Sequence, residues 1–191
     1  MSYGIVVEGP YDVPVYEELI RKICPDPTEI IPRLGGSVPG FMDRFPKVLR
    51  DLEHIRAGRP VDKALVIRDA GGKDPSIVQQ QMAERIRDRT YSFPRGVQLI
   101  VVRRAMETWL LADEEAVSII ALSRHGRRVS RIQDALEDIV DPKERLRRWL
   151  SEARLPYDPQ VSREITQQVR LETLQYRCPS FRTFERKVID C

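Results

Sequence analysis

Val97-Gln98-Leu99-Ile100-Val101-Val102 is apolar and β-branched almost throughout, the composition of a strand covered on both faces. Such a strand belongs to a sheet sandwiched between helices, and a central place in that sheet is expected for it. Working back along the chain, Ala64-Leu65-Val66-Ile67 is a run of the same kind. It ends in Arg68-Asp69-Ala70-Gly71-Gly72-Lys73-Asp74-Pro75, after which Val78, Met82 and Ile86 stand at helical spacing. Further back, Glu29-Ile30-Ile31 leads through Gly35-Gly36 into a helix over about Phe41 to Arg56, with Gly58 as its stop. The chain opens on Gly4-Ile5-Val6-Val7, closed by Glu8-Gly9-Pro10. Tyr16, Leu19, Ile20 and Ile23 then mark a helix that Pro25 and Pro27 end. Four strand-and-helix pairs predict an α/β fold: a mainly parallel four-stranded sheet flanked by helices, with strands at about 4–8, 28–32, 63–69 and 97–103.

Forward from Val102 comes Glu107-Thr108-Trp109-Leu110-Leu111-Ala112-Asp113 and then a helical stretch over Glu114 to Leu122. Beyond Ser123 the periodicity is helical only: Ile132, Leu136 and Ile139, then Leu146, Trp149 and Leu150, then Ile165 and Val169. The polar segment Ser123 to Arg128 divides an α/β core, 1–122, from a C-terminal helical extension, 123–191. That extension is small enough to need the core to pack against.

The 191 residues are 41% hydrophobic, enough for a core, and 32 Lys+Arg against 29 Asp+Glu give a net charge of only +3. Disorder is excluded, and net charge names no partner. The arginines are scattered, and those at 145, 147 and 148 suit the solvated face of a helix whose apolar side is Leu146, Trp149 and Leu150. Cys24, Cys178 and Cys191 have neither the pairing of a secreted disulfide framework nor the spacing of a zinc site, so a reduced, cytoplasmic setting is expected. No apolar run reaches membrane-spanning length. His54 and His125 have no ligand neighbours in sequence, and Trp109 and Trp149, flanked by leucines, read as core anchors.

Ligands of open parallel sheets bind beyond the C-terminal strand ends, and this sequence puts acids there. Glu8 follows the first strand, Asp69 the third with Asp74 close behind, and Glu107 the fourth. Converging carboxylates repel one another unless a hard cation such as Mg²⁺ or Mn²⁺ neutralises them, so Glu8, Asp69, Asp74 and Glu107 form a candidate metal site. Each acid alone has a plainer use: Asp12 or Asp74 as a helix cap, Glu107 as an ion-pair partner of Arg103 or Arg104. Gly9, Gly71 and Gly72 give loops that a phosphate could approach.

Val7-Glu8-Gly9-Pro10-Tyr11-Asp12 after a first strand resembles the Glu-Gly-x-x-Asp motif of TOPRIM domains, the metal-binding fold of topoisomerases, primases and overcoming-lysogenization-defect nucleases. Arg68-Asp69, Glu107-Thr108-Trp109-Leu110-Leu111-Ala112-Asp113 and Cys178-Pro179-Ser180-Phe181 further resemble a bacterial TOPRIM-like family whose members occur beside ATPases. The resemblance implies that Glu8 is the metal-linked general acid or base, that Asp69 holds a Mg²⁺ or Mn²⁺ ion, and that Glu107 sits beside them as a second catalytic acid. It implies a metal-dependent nuclease or phosphodiester-processing subunit, acting on DNA or RNA with an ATPase partner in bacterial defence or repair. A non-catalytic interaction subunit and a small RNA-maturation nuclease are the alternatives. One departure bears on the choice: TOPRIM domains carry Asp-x-Asp after the third strand, and here Gly71 stands at the second position, so that either Asp74 substitutes, or the site binds metal weakly, or the domain has lost its chemistry. No covalent nucleophile is evident. Glu18, on the first helix, lies outside the set.

Overall fold

A computed structural model describes residues 1–25, 27–36, 38–55 and 61–190. Its four strands are β1 (Ser2–Val7), β2 (Glu29–Leu34), β3 (Lys63–Asp69) and β4 (Val97–Val102), all parallel, in the order β2-β1-β3-β4. The expected strands are all present. The helix expected from Phe41 begins earlier, at Val38, and runs to His54; Arg56 and Gly58, its expected end and stop, lie outside the described residues, as does Cys191.

Alternation along the strands divides the core in two. Tyr3, Ile5, Val7, Leu65, Ile67, Ile100 and Val102 face one side; Val6, Ala64, Val66 and Leu99 face the other. The second face is covered by α2 (Val38–His54), which brings Phe41, Phe45, Leu49 and Leu52, and by α3 (Pro75–Ile86), which brings Val78 and Met82. The first is covered by α1 (Asp12–Ile23) together with the helices that follow β4: α4 (Glu107–Leu110), α5 (Glu114–His125), α6 (Pro142–Glu152), α7 (Pro159–Gln168), α8 (Leu171–Arg177) and α9 (Pro179–Ile189).

Three expectations are corrected. The fourth strand is not central but at the sheet edge. It is apolar because α3 lies on one of its faces and α9 on the other, so burial of both faces does not require a strand neighbour on both sides. Its free edge is tended by side chains instead: Gln79 Nε2 (3.1 Å) and Lys187 Nζ both donate to the Leu99 carbonyl. The stretch containing Ile132 and Ile139 is irregular apart from one 3-10 turn at Leu136–Asp138, although Ile132 and Leu136 are buried. Ser123 to His125 is the last turn of α5, capped by Gly126 in the left-handed region, and not a linker. The helices beyond it share one hydrophobic cluster with the sheet.

At the N-terminal end of the sheet, Lys63 is wholly buried. Its Nζ donates to Val188 O at 3.1 Å and to Asp190 O, and Tyr3 Oη donates to Val188 O at 3.3 Å. A cation set against the carbonyls of a helix C-terminus complements the helix dipole, so these bonds pin the end of α9 beneath the sheet.

Candidate metal and phosphate site

From β1 the chain leaves through α1 on one face; from the neighbouring β3 it leaves through α3 on the other. That divergence opens a crevice at the C-terminal ends of β1 and β3, where open α/β sheets bind ligands. The crevice is a cavity of about 470 Å³ whose lining includes the acids Glu8, Asp12, Asp69, Glu107 and Asp141, the glycines Gly71 and Gly72, and the cations Arg104 and Lys143; Asp141 is engaged as the cap of α6, accepting from Glu144 N at 2.9 Å. Glu8, Asp69 and Glu107, separated by up to 99 positions in sequence, are thus brought to one cavity. Asp74 is not: it caps α3, accepting from Ser76 N at 2.8 Å and Ser76 Oγ at 2.7 Å, and lines the adjoining recess.

Asp12 also lines the cavity. Its side chain does not cap α1 but turns back to accept from Gly9 N at 2.9 Å, closing the loop after β1. Its signal in the sequence was the last position of the Glu-Gly-x-x-Asp pattern. Strand alternation explains how the acids divide. Register continues from Val6 opposite Val66 to put Glu8 beside Arg68, on the α2 side, whereas Asp69 has the parity of Ile67, on the α1 side. Arg68 Nε stands 3.1 Å from Glu8 Oε1, off the axis of a hydrogen bond, so both buried atoms lack a hydrogen-bond partner. Arg68 itself is held over the Phe41 ring at 5.7 Å. Glu8 lies past the end of β1 and so still borders the cavity it shares with Asp69.

Burial and neighbouring carboxylates raise the pKa of Asp69, Asp12 and Glu8. Asp69 is pushed well above the usual carboxylate range by burial, then by Asp12, Glu107 and Glu8 in that order, against one hydrogen bond from Met106 N. Asp12 is pushed up to about 6 by burial, with Gly9 N–H opposing and the Glu107 charge adding to the rise. Burial also raises Glu8, and the Arg68 charge offsets part of the rise. Glu107 opens α4, is 6% exposed, and accepts from Tyr157 Oη at 2.5 Å; neither Arg103 nor Arg104 is its partner. Tyr157 stacks on Tyr11 with ring centroids 5.4 Å apart, and the Lys143 ammonium lies 5.8 Å from both rings. Nothing in the sequence marked Tyr157 or Lys143, because α6 and α7 and the turn between them bring them from far along the chain.

A hard cation suits a donor set of carboxylates, whose mutual repulsion it would relieve. Among the described residues, however, no three Asp, Glu, His or Cys side chains stand close enough to hold a metal ion as they are placed.

Two sequence patterns prove to be one packing unit. Trp109 Nε1 donates to Ser180 Oγ at 3.1 Å, Phe181 meets the Trp109 ring edge-on at 5.3 Å, and buried Cys178 lies against Thr108 O. Asp113 caps α5 and takes Arg170 in two side-chain bonds of 2.9 and 2.7 Å. These residues place Glu107 without lining the cavity. Glu18 is not a bystander: it is 9% exposed and accepts from Arg163 Nε at 2.7 Å, joining α1 to α7.

Fold and site together define an all-parallel α/β domain with a helical layer on one face and an acidic cavity at the strand-exchange crevice. The chain belongs to the family described as domain of unknown function DUF4276, whose model matches residues 7–189. Among solved structures it is similar to the C-terminal region of the Xanthomonas campestris pv. campestris OLD protein, at 16% identity and a TM-score of 0.49 over 97% of this chain and 93% of that one. No curated protein matches the sequence. No helix among the described residues is long and apolar enough to cross a membrane.

Proposed function

We propose that this chain is a TOPRIM-like, divalent-metal-dependent nuclease, with Asp12, Asp69 and Glu107 holding Mg²⁺ or Mn²⁺ and Glu8 at the edge of the same site. The observation that carries the reading is the convergence of Glu8, Asp12, Asp69 and Glu107, beside the helix-capping Asp141, with two cations, Arg104 and Lys143, on one cavity at the strand-exchange crevice. Gly71 leaves the second position of Asp-x-Asp without an acid, and Asp12, from the Glu-Gly-x-x-Asp pattern, is the carboxylate that joins Asp69 and Glu107 in this reading. When bound, the cation neutralises the carboxylates and polarises a phosphoryl oxygen.

The chain's own groups do the rest. Lys143 and Arg104 line the cavity with the acids and offset the charge of an entering phosphodiester. Tyr157 holds the Glu107 carboxylate in one orientation through its short hydrogen bond. Glu8, drawn towards protonation by burial and towards ionisation by Arg68, is balanced to take the proton of an attacking water or to give one to the departing oxygen as the P–O bond breaks. An ATPase partner belongs to the proposal through the family resemblance.

Glu8→Gln and Asp12→Asn test it. Each keeps side-chain volume and removes a charge, so Mn²⁺-dependent cleavage of labelled DNA and RNA should fall by about 10²-fold or more with the fold intact by circular dichroism. Glu84→Gln, exposed on α3, is the matched control. Wild-type protein that cuts neither nucleic acid with Mn²⁺ and the neighbouring ATPase overturns the catalytic reading. The interaction-subunit reading, which Gly71 and the parting of Glu8 from Asp69 favour, then takes its place.

A further inference from the structure

The acid cavity does not end at Arg104. Gly72 and Arg104 also line a second recess of about 350 Å³ with Lys73, and Pro75 and Arg103 carry this into a third of about 530 Å³ along the free edge of β4. Recesses that share walls form one groove. From the acid cavity outward its cations are Lys143, Arg104, Lys73, Arg103, Arg186 and Lys187.

The acids bordering the outer groove are already engaged. Asp138 takes Arg103 Nη2 at 3.0 Å, Glu137 accepts from Ser180 N at 2.7 Å, and Asp74 is turned into the first turn of α3. Arg104 is anchored through Nε on Glu137 O at 3.2 Å, and its Nη1 lies 3.3 Å from where a Cβ on Gly72 would stand, so the glycine leaves the guanidinium room against the loop. Arg186 and Lys187 are neighbours whose like charges repel, and burial together with Arg186 pulls the Lys187 ammonium below its usual range. An anion in the third recess relieves that repulsion. At the other end of the groove the stacked Tyr11 and Tyr157 rings, with Arg147 5.5 Å from the Tyr157 centroid, offer an aromatic surface of the kind on which bases stack whatever their sequence.

We propose that this groove binds a single strand of nucleic acid through its phosphates and leads it from the β4 edge into the acid cavity. The inference rests on the nucleic-acid reading of that cavity and adds the form of the substrate. A single strand bends from recess to recess, one phosphate after another; a duplex is too stiff to follow a string of recesses round a sheet edge.

The test is binding of fluorescein-labelled oligothymidylate, alone or annealed to oligoadenylate, to the full chain in EDTA. The single strand is expected to bind at least about tenfold tighter than the duplex. Lys73→Glu combined with Arg186→Glu should weaken single-strand binding by about tenfold and flatten the slope of log K against log salt by about 1.4. Lys47→Glu with Arg87→Glu, exposed residues that line none of the recesses, carries the same charge change and should alter affinity less than about twofold. Wild-type affinity in the groove variant, preference for duplex, or no binding by the wild type overturns the proposal. A wild type that binds through these residues yet never cleaves with Mn²⁺ supports the groove and overturns the nuclease reading.

Discussion

Gly71 sits at φ +58 with nothing within 4 Å of where a Cβ would point, on the wall of the acid cavity. Aspartate tolerates the left-handed region better than most residues, at a cost of about 1–2 kcal/mol. Gly71→Asp therefore adds a further carboxylate to the cavity at modest expense. The variant is expected to unfold at lower temperature than wild type without metal and to gain more thermal stability from millimolar Mn²⁺, as read by differential scanning fluorimetry. Equal Mn²⁺ shifts in the two proteins would show that the cavity does not collect cations through its acids. Residues of this kind mark how far the sequence reaches. Glu8, Asp69 and Glu107 are legible because each stands at the end of a strand that declares itself or within five residues of it. Asp12 is half legible, since its motif names it while its place beside a helix suggests a cap. Tyr157 and Lys143 are illegible, because nothing local distinguishes a tyrosine that meets a glutamate 50 positions away from one that does not.

The four strands show in the sequence because β-branched runs between turn residues have few other uses, whereas edge or centre depends on partners the run does not encode. The segment around Ile132 and Ile139 misleads for a related reason: its apolar spacing records contact with a core, which an extended chain satisfies as well as a helix. At the start of α5, Asp113 is completely buried while its partner Arg170 is half exposed. Burial alone would raise its pKa, but the side-chain and backbone hydrogen bonds from Arg170, with the guanidinium charge, bring it below the usual range. Asp113→Ala removes both the helix cap and the pair, so a loss of about 2–3 kcal/mol is expected in urea denaturation at pH 7. Because the folded-state pKa is the lower one, this contribution is present above the unfolded carboxylate value and vanishes as pH falls through the folded value. The gap between variant and wild type should therefore close in acid. A gap that persists below both values would assign the loss to packing.

At the scale of the whole molecule, one hydrophobic cluster runs from Tyr3 and Ile5 in β1 through α1 to Phe184 and Val188 in α9. A division at residue 122 cuts this cluster and also cuts α5. The fragment 1–122 is expected to lack a cooperative thermal transition and to bind a hydrophobic dye, while the full chain unfolds with coincident near-ultraviolet dichroism and tryptophan fluorescence. A fragment that melts sharply would restore the two-part description. The tie between Lys63 and the carbonyls of Val188 and Asp190 also bears on the order of events at the ribosome. Every strand emerges before α9 does, so during synthesis one apolar face of the sheet and the ammonium of Lys63 wait for a segment not yet made. The nascent chain is most vulnerable to self-association in that interval, and a chaperone that shields the bare sheet face should raise the yield of folded protein more than slower growth alone.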